Sequence, residues 1–224
     1  MVNLPARIAT LTESGAPAAQ RIFAAAGVER AAACALWALS TQEERSADAD
    51  FYIAALEQLW SSETPPRSFV TRLSAWTDGL PEFAEEDPPG GVPGYVFEGV
   101  LLLELAAKAT LAPDEPETLG QVSDALLDFA NTLDQEESTD DPLTPGSFDF
   151  AQVFSGPREP QGRHCVGEKE EQLHTLSALV GAEVGAVPAE DTVLELRARA
   201  RAVGRQRLEA LKAAQSLRKP WEPR

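Results

Sequence analysis

Apolar side chains recur at intervals of three and four residues along most of this chain, and clusters of proline and glycine cut the pattern into short lengths. Spacing of that kind lines up one face of an α-helix, whereas a half-buried strand alternates at every second residue. Proline and glycine are costly inside a helix and so mark its ends. The pattern predicts an all-α fold. Seven helices are expected: about Ala18 to Leu39, Asp48 to Ser61, Ser68 to Leu80, Val96 to Leu111, Thr118 to Leu133, Glu168 to Val187 and Thr192 to Leu217. No sequence period of solenoid length repeats, so an antiparallel helical bundle is the simplest arrangement.

The composition of each stripe says where it belongs. The first helix carries Ile22, Phe23, Ala26, Val28, Ala32, Leu36 and Leu39 among many alanines, so neighbouring helices can approach it closely and it is expected at the centre. The fourth, with Val100, Leu101, Leu102, Leu103 and Leu105, is apolar nearly all round, and such a helix must be covered on several sides. The second shows Tyr52, Leu56, Leu59 and Trp60; the third, Phe69, Leu73, Trp76 and Leu80; the fifth, Leu119, Val122, Leu126, Phe129 and Leu133. Ser68 reads as an N-cap, and Thr192 with Glu195 as a capping box. Trp37, Trp60 and Trp76 are expected to anchor the core, and Trp221 lies in a Pro-flanked tail.

At 224 residues and 43% apolar content the chain can bury a sizeable core, and one helical domain over 1–224 is expected. The segment DPPGGVPG, Asp87 to Gly94, reads as a loop. Periodicity also lapses over 134–167, a long acidic, Pro- and Gly-rich loop before the last two helices, and over the tail 219–224. Phe148, Phe150, Val153 and Phe154 are expected to pin that loop to the core or to a partner.

Charge narrows the function classes. Asp and Glu number 36 against 19 Lys and Arg, a net charge of −17, which repels phosphate backbones; nucleic acid is not an expected partner. The surplus is uneven. Residues 189–224 carry 9 basic and 5 acidic side chains, for +4, which leaves −21 on residues 1–188. The terminal helix, with Arg197, Arg199, Arg201, Arg205, Arg207, Lys212 and Arg218, is expected to lie against its own acidic body. Only Cys34 and Cys165 are present, so no disulfide framework can be argued. Met1 to Leu11 lacks the form of an export signal, and the apolar window Val100 to Leu111 is broken by Glu104 and Lys108. A cytoplasmic protein that does not enter membranes is expected.

No constellation of catalytic, cofactor-binding or metal-ligating residues stands out. Glu171 and His174 have the E-x-x-H spacing of carboxylate metal bundles, but such a cage needs a second copy. His164 adjoins Cys165 in what reads as an extended loop, where neighbouring side chains point apart. Gly90 to Gly94 lacks the ending of a phosphate loop, and Asp124 with Asp128 reads as a solvated helix face. An enzyme, if one were built, would draw on Glu57, Glu104, Asp124 and His174. The favoured reading is an acidic binding module, in the manner of an immunity or inhibitor protein that masks a basic protein surface. Its contact residues would be Glu82, Glu85, Glu86 and Asp87, and Asp134, Glu136, Glu137, Asp140 and Asp141. The alternative without catalysis is a homodimer assembled through the stripe of the fifth or seventh helix.

Several stretches carry a family likeness: the alanine-rich helix around Ala25-Ala26-Gly27-Val28-Glu29-Arg30; Ala55-Leu56-Glu57-Gln58-Leu59-Trp60; the apolar Val100 to Ala109 followed by Leu119 to Leu133; and the acidic Glu168 to Glu171. On these the chain resembles the bacterial all-helical family called domain of unknown function 416, over about residues 20 to 215. The resemblance implies a helical bundle and carries no functional residue across.

Overall fold

The computed structural model describes residues 3–14, 16–61, 63–113, 115–137, 162–180 and 187–217. Within these the chain is all-helical: α1 (Leu4–Glu13), α2 (Pro17–Ser40), α3 (Ser46–Trp60), α4 (Arg67–Asp78), a 3-10 turn (Pro81–Phe83), α5 (Val92–Leu111), α6 (Pro116–Glu137), α7 (Arg163–Val180) and α8 (Glu190–Leu217). No strand occurs among the described residues.

Helix α2 holds the centre. Eighteen of its 24 residues are buried, and α1, α3, α5, α6, α7 and α8 all pack on it. Alanine makes this possible, because a small side chain lets a neighbouring backbone come close from any direction. One close approach is that of α5. A Cβ added at Gly99 would stand 2.5 Å from the Cβ of Ala35, so only glycine fits that crossing. By length and composition α2 is also long and apolar enough to cross a membrane, and 83% of its most apolar window is buried by its neighbours.

Helix α5 is covered by α2, α3, α4 and α6, as its nearly continuous apolar surface requires. It begins at Val92, inside the expected loop, with Pro93 in the first turn, where a missing N–H leaves no helical bond unmade. Helix α1 was not among the seven expected elements. Its stripe, Leu4, Ile8 and Leu11, spans only two turns, and burial against α6 and α7 stabilises what so short a repeat cannot. Ser68 and Thr192 lie inside the first turns of α4 and α8 and not at their caps. Pro66 supplies the extended residue before α4, and Glu190 and Asp191 place negative charge at the start of α8.

The expected loop over 134–167 is shorter at both ends. Helix α6 continues to Glu137 and α7 opens at Arg163, because each end satisfies the other. The Asp134 carboxylate accepts from the backbone N–H of His164 at 2.8 Å and of Cys165 at 3.0 Å, and Arg163 pairs with Glu137. A Cβ at Gly162 would fall on that same carboxylate, so a larger residue there would have to displace Asp134 from the start of α7. Cys165 is accordingly a buried residue of α7 and not part of a polar loop. Phe148, Phe150, Val153, Phe154, Asp140, Asp141 and Trp221 lie outside the described residues.

Candidate functional site

Four arginines of the basic terminal helix are engaged by its own fold, through three groups of charge that run from fully buried to exposed. Deepest is a triad joining α2, α7 and α8. Arg30 donates to Glu168 at 3.0 and 2.7 Å, and Arg207 donates to the same carboxylate at 2.7 Å. The three side chains are 1%, 0% and 4% exposed for Arg30, Glu168 and Arg207, so water contributes nothing to their solvation. Desolvation alone would raise the pKa of Glu168, but Arg30 and Arg207 outweigh it and hold the carboxyl below its ordinary range. A second group centres on buried Glu29, which accepts from Trp60 Nε1 at 2.7 Å and Arg201 Nε at 2.8 Å. Glu57 pairs with Arg197 and Arg201, and the Arg197 guanidinium lies 5.4 Å above the Trp60 ring. Arg199 makes a bidentate pair with Glu171, at 2.7 and 2.8 Å. Four arginines of α8 thus meet carboxylates of α2, α3 and α7, as the uneven charge distribution predicts.

The acidic residues expected to face a partner divide three ways. Glu82 is buried in the 3-10 turn and receives both nitrogens of Arg45, at 2.9 and 3.1 Å, which ties the turn to the start of α3. Asp134 and Glu137 hold the start of α7, and Glu136 is half-buried on α6 beside Tyr95. Glu85, Glu86 and Asp87 stand exposed, paired with no described residue. Sequence reasoning missed the internal role of Glu82 and Asp134 because their partners, Arg45 and the α7 amides, lie 37 and about 30 residues away.

The four carboxylates and imidazoles with enzymatic potential are not brought together. Glu57 meets α8; Glu104 accepts from Ser74 at 2.7 Å and from Lys108; Asp124 is exposed on α6, and His174 on α7. Glu171 is taken up by Arg199, and no group of three or more His, Cys, Asp or Glu among the described residues is placed to hold a metal ion. Burial pushes both thiols, Cys34 and Cys165, up to about 12, so neither is a thiolate at neutral pH.

One carboxyl stands apart from the ion pairs. Glu98 lies between α5 and α6, where Oε1 accepts from Thr132 Oγ1 at 2.7 Å and Oε2 is sealed from water with no hydrogen-bond partner among the described residues. Burial raises its pKa to about 8; the Thr132 hydrogen bond opposes the rise, and the charges of Asp128 and Glu136 add to it. Two hollows open on the surface. One, of about 290 Å³, is floored by Ala32, Ala33, Leu36, Ile53 and Leu56 and walled by the paired charges of Glu29, Glu57 and Arg201. The other, of about 570 Å³, runs along α4. Neither is lined by a histidine or a cysteine, and the Ser74 hydroxyl in the larger one is held by Glu104.

Compared with protein-family models, with curated proteins and with solved structures, the chain gives no match in any of the three.

Proposed function

We propose that this protein is an antiparallel helical bundle whose work is binding and not catalysis, and that its ligand is a basic surface of another protein. The observation that carries the reading is the division of charge within the fold. Arg197, Arg199, Arg201 and Arg207 are engaged by carboxylates of the same chain, while Glu85, Glu86 and Asp87 face solvent with no cation of a described residue paired to them. A chain at −17 in which four terminal-helix arginines are neutralised by carboxylates of the same fold offers an exterior that attracts positive charge. Of the partner-facing set proposed from the sequence, Glu82, Asp134 and Glu137 are engaged within the fold and Glu136 is half-buried beside Tyr95; Glu85, Glu86 and Asp87 stand exposed, and Asp140 and Asp141 lie outside the described residues. Membership of domain of unknown function 416 is likewise a proposal, resting on the helix pattern alone.

Electrostatic recognition of this kind is fast at low ionic strength and fades with added salt. The test is capture from native lysate at low salt with the full chain and with the variant E85Q/E86Q/D87N. The reading expects basic proteins on the unaltered chain that are released by salt and absent from the variant. It fails if nothing basic is retained, or if the variant retains the same proteins.

A further inference from the structure

Helix α4 packs on α5, burying Phe69 and Leu73 and donating Ser74 Oγ to Glu104 at 2.7 Å, and the larger hollow, lined also by Leu111 of α5, runs along its outer side. That side is a single stripe: Arg67, Val70, Thr71, Ser74, Ala75 and Asp78 follow one another at intervals of three, one, three, one and three residues. Arg67 and Asp78 close its two ends, eleven residues or about 16 Å apart, which is three helical turns and so the same face. Both are exposed, and neither is ion-paired with a described residue.

The stripe is complementary to itself. Turned about a two-fold axis through the midpoint of α4, between Arg72 and Leu73, Arg67 meets the partner's Asp78, Val70 meets the partner's Ala75, and Thr71 meets the partner's Ser74. Cation falls on anion and small side chain on small side chain, with the Thr71 and Ser74 hydroxyls keeping their own bonds to the Arg67 carbonyl and to Glu104, which is the condition an isologous contact must satisfy. The four inner side chains are small, so two helices can cross closely. Local charge also permits the contact. Helix α4 carries Arg67, Arg72 and Asp78, for +1, in a chain whose total of −17 repels a second copy elsewhere. We infer that the exposed face of α4 is a self-association surface whose occupant is the same face of a second copy, antiparallel and locked by two Arg67–Asp78 pairs. A stripe this narrow buries less than the roughly 800 Å² per partner of a standard interface, so the dimer is weak, with a Kd on the order of 100 μM.

Sedimentation of the full chain from about 10 μM to about 1 mM, near 150 mM salt, tests this. The unaltered chain shows a concentration-dependent monomer–dimer equilibrium. R67D or D78R alone sets like charges opposite at both ends of the contact and weakens the dimer by about tenfold or more. The double variant R67D/D78R restores opposite charges and brings the Kd back to within about threefold of the unaltered chain. Neither change threatens the fold, since Asp at the first turn of a helix and Arg at its last both favour the helix dipole. A monomer throughout the range, single variants that dimerise as the unaltered chain does, or a double variant as weak as the singles would each overturn the inference.

Discussion

Replacing Glu98 by Gln tests the most unusual electrostatic feature of the fold. In the folded protein the carboxyl is pushed from an ordinary 4.5 to about 8, whereas in the unfolded chain it returns to the ordinary value. The folded state therefore binds this proton more tightly. As pH rises from about 4.5 towards 8 the unfolded chain has shed the proton while the folded protein still holds it, so stability falls across that window and levels off above it. At about 1.4 kcal/mol for each tenfold change in proton affinity, the full displacement would correspond to about 5 kcal/mol. Glu98 as a whole is only half-buried, so about half of that, roughly 2 to 3 kcal/mol, is a reasonable expectation after solvent screening. Glutamine keeps an acceptor for Thr132 and has no charge to develop. Urea unfolding of both proteins, followed by circular dichroism at about pH 5, 7 and 9, gives the stability difference between them; it should shift in favour of E98Q by that amount from the lowest pH to the highest. A difference that stays constant across the series would refute the reasoning.

Two further perturbations act on the packing around α2. Glu168→Gln leaves two buried guanidiniums facing a neutral amide, and thermal melting should report a loss of about 3 to 5 kcal/mol, with a loss under about 1 kcal/mol contradicting the buried triad. Gly99→Ala forces a methyl group onto Ala35 and must part α2 from α5, at a cost of about 1 to 3 kcal/mol in the same assay; an unchanged midpoint would mean the helices do not approach so closely.

How much of this was legible in the residues follows from the range of each signal. Local periodicity gave the long helices, because the stripes of α2, α5 and α6 state their own buried faces. It failed at α1, where three apolar residues make too short a repeat, and at the start of α5, where Pro93 reads as a breaker but serves as a first-turn residue. The candidate site was less legible. The uneven charge predicts that the terminal helix meets carboxylates, and four of its five arginines do. Which carboxylates remain outside is decided by partners far along the chain: Glu82 looks like its neighbours Glu85 and Glu86 until Arg45 is placed against it. Glu98 gives no sign in sequence of being different from other helix-face glutamates, since its burial depends on where α6 lies.

Helix α8 is an internal element of the fold and not a basic tail held out for a partner. Native-state hydrogen exchange measures this directly, residue by residue. Amides from Leu196 to Leu211 on α8, where Leu196, Ala200, Arg207 and Leu211 are buried, should exchange as slowly as those at the centre of α2 and open only with global unfolding. Exchange of those amides at the rate of an unstructured peptide, while α2 stays protected, would contradict it.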